Sequence, residues 1–247
     1  MTYCVAIKLD AGMVFLADTR TNAGVDNIAK YKKLFTWEVE GERVITMMTA
    51  GNLAITQAVI SLLQENIDNP DNGLETILNA PSMFRVAELV GDAMRVVQSR
   101  YGPGLAQMGE STISSIIVGG QREGGTMRLF QIYSAGNFIE AVEDTPYFQI
   151  GEHKYGKPIL DRVLTNQTPL DVCVTAALLS MDSTLRSNLS VGMPLDLAVI
   201  ENDTLRFSQM RRIEADDENY KLLSSGWSEA LKRAFDEMVH IAIGHPV

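Results

Sequence analysis

The segment TYCVAIKLD, residues 2–10, places a β-branched and apolar run at the very start of the chain, and GMVFLADTR, residues 12–20, repeats the pattern at once. Runs of this length bounded by turn residues read as strands. Asp10-Ala11-Gly12 between them offers a tight hairpin turn, with glycine free to take an unusual backbone angle. The beginning of the chain is therefore expected to be a pinned strand, with residues 2 and 18–20 at the same open end of a hairpin. A polar loop follows. KKLFTWEVEGERVITMMTAG then reads as a second strand pair turning at Glu40-Gly41, and these four strands are expected to set one antiparallel sheet.

The period then changes from two to that of a helix. NLAITQAVISLLQENID places Leu53, Ala54, Ala58, Leu62 and Ile67 near one helical face and ends at the breaker cluster Asn69-Pro70-Asp71-Asn72-Gly73. A second helix, FRVAELVGDAMRVVQSRYG, is expected to stop at Gly102-Pro103-Gly104. Strands follow in TISSIIVGG, TMRLFQIYS, NFIEAVED and YFQIG. A short helix is expected around KPILDRVL. A longer one has Thr168 as N-cap, Pro169 at the first helical position and Asp171 in the first turn. The strands PLDLAVIEND and TLRFSQMRRI turn at Asn202-Asp203, and a helical region from about Ala215 closes the chain.

With no linker, repeat or low-complexity stretch, residues 1–247 read as a single domain. Two antiparallel sheets stacked face to face, each covered by helices, bury every apolar surface in this order of elements. The expected fold class is α+β, a four-layer αββα sandwich.

Composition narrows function. The formal net charge of −10 argues against a nucleic-acid partner, which calls for a basic face. No stretch approaches the roughly 18 consecutive apolar residues of a membrane span, so no membrane partner is expected. Asp10 and Asp18 interrupt the segment where a secretory signal would carry its apolar region, and a cytoplasmic location is expected. Cys4 and Cys173 have no metal or redox spacing and read as buried free thiols. His153, His240 and His245 have no metal spacing either and read as non-catalytic, and Met47-Met48 as core or pocket wall.

Thr2 is the candidate for chemistry, beside the plainer reading of a small residue tolerated after Met1. If Met1 is removed, one residue presents both a hydroxyl nucleophile and a free α-amine, whose ordinary pKa of about 7.7–8.0 suits a general base. Asp18 and Arg20 in ADTRTNAG lie at the same end of the first hairpin, Lys32-Lys33 precedes the third strand, and TAGNLA joins a strand to a helix start. There the Gly51 N–H is able to face an anion with no side chain in the way.

In this order, Thr2, DTRTNAG, a lysine before an aliphatic residue and TAG opening a helix resemble the proteasome β-subunit superfamily of N-terminal nucleophile hydrolases. GEHKYGKPILDR and STLRSNLSVGMPLDLAVI resemble its bacterial Anbu (ancestral β-subunit) branch. The resemblance covers essentially the whole chain and implies the same αββα fold. It implies Thr2 as nucleophile and Asp18 as the acid orienting a lysine. Lys33 is the cation, with Lys32 the alternative one residue away. The Gly51 amide is the oxyanion donor, Ser190 a supporting hydroxyl, and Thr49 and Leu53 border the substrate pocket. It also implies self-assembly into a ring or helical homo-oligomer, with a peptide or small amide as substrate and no cofactor. The chain departs from the family where a Gly-Ser-Gly-like segment supports the nucleophile's amine, reading Gly151-Glu152-His153 instead. Ser187 stands where the family has an aspartate, with Asp182 too far upstream to replace it. The expected activity is threonine-type peptide or amide hydrolysis. The alternatives are an assembly subunit with little or no turnover, or an amidohydrolase of a small non-protein amide.

Overall fold

A computed structural model describes residues 2–22 and 28–242. Met1, Ala23, Gly24, His245 and the side chain of His240 lie outside the described residues. Two five-stranded antiparallel sheets and five α-helices make the fold. The first sheet holds β1 (Tyr3–Leu9) and β2 (Gly12–Asp18) at its centre. Two small strands, β3 (Arg20–Asn22) and β4 (Ile28–Lys30), form a separate hairpin. β5 (Leu34–Val39) and β6 (Arg43–Gly51) open the second sheet, which β7 (Ser114–Arg122), β8 (Arg128–Ile132) and β9 (Phe138–Glu140) extend in the order β5-β6-β7-β8-β9. β10 (Tyr147–Gly151), β11 (Leu195–Glu201) and β12 (Phe207–Ile213) complete the first sheet in the order β10-β1-β2-β11-β12.

The four early strands thus divide between two sheets. The reason lies in burial: β1 and β2 are apolar on both faces, so each needs a layer on either side. Tyr3, Val5, Ile7 and Leu9 pack outward on α3 (Lys157–Val163) and α4 (Leu170–Ser187), while Cys4 and Ala6 pack inward on Val44, Met48 and Ile117 of the second sheet. The Met47-Met48 pair splits in the same way. Met47 faces α1 (Leu53–Asp68) and α2 (Met83–Gln107), and Met48 faces the core between the sheets. The αββα sandwich follows, with α5 (Glu218–Ala242) closing the chain beside α4.

Three local expectations shift. The buried face of α1 is Ile55, Thr56, Val59 and Leu63, a rotation from the Leu53-Ala54-Ala58 face, because Asn52 fixes the helix start by accepting the Ile55 N–H at 3.1 Å. α2 continues through Pro103 to Gln107. Proline removes one helical N–H bond there, and the carbonyl it strands belongs to the exposed Ser99, where water can satisfy it. α4 starts at Leu170 with Pro169 as N-cap, while the Thr168 hydroxyl accepts from the Thr165 N–H at 2.9 Å and holds the preceding turn. Among the described residues, no helix is long and apolar enough to cross a membrane.

Candidate active site

The ladder between β1 and β2 sets Cys4 opposite Ala17, so Tyr3 and Asp18 are the next rung outward and Thr2 lies just beyond. The Tyr3 N–H donates to Asp18 Oδ1 at 3.0 Å, folding the carboxylate back onto the strand that carries Thr2. Lys33 Nζ donates to the same oxygen at 2.7 Å, and the Gly192 N–H donates to Oδ2 at 3.2 Å. The ammonium also donates to the Arg20 carbonyl at 2.6 Å. Asp18 is fully buried and Lys33 is 3% exposed, so this ion pair is held out of water. Burial pushes the Asp18 carboxyl up, against the opposing pull of the Lys33 ammonium and the N–H groups of Tyr3 and Gly192. A buried pair of this kind is intact only while both partners remain, since either alone is an uncompensated charge.

The choice between the two lysines has a geometric answer. Lys32 is exposed, with its ammonium 5.4 Å from the centre of the Phe35 ring, while Lys33 turns inward to Asp18. The backbone sets this: the Lys33 carbonyl accepts the Thr49 N–H at 3.0 Å and so enters the ladder of the second sheet.

Gly51 ends β6 with φ +102°, and a Cβ there would come within 2.2 Å of the Ile113 carbonyl, so glycine is required. N–H directions alternate along a strand. Thr49 donates toward Lys33 and Asn52 donates to Ile113 O at 2.9 Å on the opposite side, which aims the Gly51 N–H to the Lys33 side, past the start of β5. Thr49 is buried, and Leu53, the first residue of α1, is half-buried.

Thr2 is half-buried, in the alternating row of Cys4 and Ala6 at the rim of the gap between the sheets. Its carbonyl accepts the Glu152 N–H at 2.6 Å. The Glu152 carboxylate accepts at Oε1 from the N–H groups of His153 and Lys154, both at 3.0 Å, and at Oε2 from Asn188 Nδ2 at 3.0 Å. Burial works to raise this carboxyl, but the bonds from Lys154, Asn188 and His153 outweigh it and hold it below the usual range. Asn188 in turn accepts the Ser190 N–H at 3.0 Å. Ser190 therefore enters this end of the molecule through its backbone. Ser187 is exposed at the end of α4, and Asn188 makes the inward contact in its place. Asp182 is buried elsewhere, paired with Arg186 at 3.1 Å.

The structure thus brings Thr2, Asp18 and Lys33 together, with the Gly51 N–H aimed at the same side. Asn188, Gly192 and the Arg20 carbonyl also belong to this cluster and escaped the sequence reading. A Cβ at Gly192 would meet the Arg20 guanidinium at 2.2 Å, so glycine leaves Arg20 room to lie across it undisplaced. Cys4 is no competing nucleophile, since burial pushes its thiol well above the ordinary range. A groove of about 390 Å³ lined by Lys32, Leu34, Thr36, Asp196 and Met210 opens beside the lysine pair without reaching Thr2. Among the described residues, no group of three His, Cys, Asp or Glu side chains lies close enough together to hold a metal ion.

Known proteins share this architecture. Residues 2–200 match the family model described as "Proteasome subunit". The chain is 54% identical to Anbu from Hyphomicrobium sp., covering 95% of this chain and 97% of that one with a TM-score of 0.87. It is 46% identical to Anbu (ancestral beta-subunit) from Yersinia bercovieri, covering 95% and 96%, with a TM-score of 0.88. It is 47% identical to the Anbu subunit of a structure described as a helical assembly from Pseudomonas aeruginosa, again covering 95% and 96%, with a TM-score of 0.90. No curated protein sequence gives a match. The family model and the near full-length likeness agree with the geometry: this chain belongs to the proteasome subunit family and is similar throughout to its bacterial Anbu members.

Proposed function

We propose that the chain is a threonine-type hydrolase subunit that cleaves peptide or amide bonds with Thr2 as nucleophile once Met1 is removed. The observation that carries this reading is the buried Asp18–Lys33 pair, tied through one oxygen to the Tyr3 N–H immediately after Thr2. The Lys33 ammonium favours the deprotonated Thr2 hydroxyl by proximity, and Asp18 fixes where that ammonium sits. The α-amine of Thr2, directly or through a water, takes the hydroxyl proton. The carbonyl carbon is attacked, and the oxyanion that forms is stabilised by the Gly51 N–H. The protonated α-amine passes its proton to the leaving nitrogen, and collapse expels the amine product and leaves an ester on Thr2, which water then hydrolyses.

Self-assembly belongs to the same reading. Leu231, Phe235 and Met238 recur at i, i+4 and i+7 along α5 and are at least half exposed, an apolar stripe suited to a second copy. That stripe equally favours a second reading, an assembly subunit with little or no turnover. Intact mass of the purified chain and a Thr2→Ala variant separate the two. Hydrolysis is expected to require loss of Met1 and to disappear in Thr2→Ala, and activity that survives in Thr2→Ala would overturn the assignment.

A further inference from the structure

Among the described residues, three carboxylates are nine-tenths buried or more: Asp18, Asp182 and Glu152. Asp18 pairs with Lys33 and Asp182 with Arg186. Glu152, at 8% exposure, forms no ion pair among the described residues and is held by N–H donors alone. A buried ionised group is ordinarily both paired and hydrogen-bonded. Glu152 lacks a cation in contact, since the exposed Lys154 ammonium acts on it only from a distance.

The chain supplies one at that point. Continuing the register of β1 and β10 past Tyr3 and Gly151 sets Thr2 directly opposite Glu152, and the Glu152 N–H to Thr2 carbonyl bond of 2.6 Å confirms the rung. Opposed residues of such a rung have their Cα atoms about 5.5 Å apart. Gly151 tightens the approach. A Cβ on it would fall 2.0 Å from the Thr2 carbonyl oxygen, and its φ of +83° turns the chain so that Glu152 leaves the strand's alternation. While Met1 is attached, the Thr2 nitrogen is a neutral amide. Its removal creates an ammonium group there.

We propose that the Glu152 carboxylate is the counter-ion and positioning group of the Thr2 α-ammonium, a role that rests on the processed N-terminus invoked above. The other charged groups around Thr2 are already engaged. Asp18 takes Lys33 and two backbone N–H groups, Lys33 and Arg20 are cations that cannot neutralise an ammonium, and Arg20 donates to the Leu189 carbonyl at 3.0 Å. His153 and Lys154 follow Glu152 with exposed side chains. Glu152 Oε1 is filled by two N–H donors, whereas Oε2 takes only the Asn188 amide and keeps an acceptor position. Asn188, fixed by the Ser190 N–H, holds that oxygen in place. The pairing favours the charged amine, so the base becomes available only at higher pH than an ordinary α-amine.

The test titrates the amine itself. A ubiquitin fusion cleaved to expose Thr2, confirmed by intact mass, is reductively methylated across pH, and the N-terminal peptide is quantified by mass spectrometry. The wild-type midpoint is expected above the ordinary range of about 7.7–8.0. Glu152→Gln, which keeps the shape and an oxygen acceptor, should lower it by about one pH unit, a tenfold change in the ionisation ratio. Glu152→Asp should fall between. Equal midpoints in wild type and Glu152→Gln would reduce Glu152 to a loop cap and overturn the proposal. If Glu152→Gln does not fold, a wild-type midpoint at or below the ordinary range overturns it alone. The readout does not depend on hydrolysis, and retention of Met1 in the unfused protein would count against the nucleophile reading only.

Discussion

The two sheets are built alike, five antiparallel strands with helices on the outer face, yet they treat charge differently. In the second sheet, Ile45, Met47, Ile116, Val118 and Phe130 seal an apolar layer against α1 and α2. Its buried cation, Arg43, donates to the Ile77 and Ala80 carbonyls at 3.1 Å and stitches a loop to the strand. The open end where Thr2 emerges instead gathers Asp18 and Glu152 from the first sheet and Lys33 from the start of the second. Similar architecture thus separates two duties. The helix-covered face of the second sheet is a clamp whose polar groups hold chain to chain, and the open end that both sheets share keeps an ion pair dry beside Thr2.

The sharpest way to break that comparison is at Thr2. Thr2→Ala should cut hydrolysis on the order of 10⁶-fold, as loss of a nucleophile does elsewhere, with an unchanged melting temperature. Next comes the ion pair. Lys33→Met leaves the Asp18 carboxylate buried alone and should cost about 3–5 kcal/mol in urea unfolding. The sign with pH is fixed by burial. A carboxyl raised in the folded state contributes stability that is complete below the unfolded value of about 3.9 and is lost as pH rises through the folded value. Lys33→Met should therefore be relatively more stable in acid, and adding Asp18→Asn should recover stability at neutral pH without recovering hydrolysis. A pH-independent Lys33→Met would show that the pair is not as dry as its burial indicates.

Smaller effects sharpen the contrast. The Tyr3 hydroxyl lies 2.5 Å from Ser180 Oγ and accepts from Gln149 Nε2 at 2.7 Å, tying β1 to α4 and β10. Tyr3→Phe should lower stability by about 1–3 kcal/mol while the folded fraction keeps its turnover number. Ile116→Val in the second sheet should cost about 0.5–1.5 kcal/mol and leave kcat untouched, as befits a clamp.

The fold was legible because period and turn residues act locally. The Gly12 and Gly41 hairpins, the capped α1 and both late strands fall where their residues place them. Sheet membership was not, since nothing local to β5 and β6 says which layer they join; that depends on β1 and β2 needing cover on both faces. The site divides similarly. The placing of Thr2 and Asp18 at one end of the first hairpin, and of Gly51 at a strand-to-helix turn, could be read locally, whereas which of Lys32 and Lys33 turns inward could not. Asn188, Gly192 and the Arg20 carbonyl could not. Two of these contribute backbone atoms, whose chemistry is identical at every residue, and the third meets Glu152 across 36 positions of sequence.

The most direct test of Thr2 as nucleophile is to trap the covalent intermediate. The chain lacking Met1 is mixed with an activated peptide ester, quenched within one turnover, digested and mapped by mass spectrometry. A single acyl group on Thr2 is expected, absent from Thr2→Ala and strongly reduced in Lys33→Met. An acyl group on another residue, or none on a folded chain with Thr2 exposed as its first residue, would contradict it.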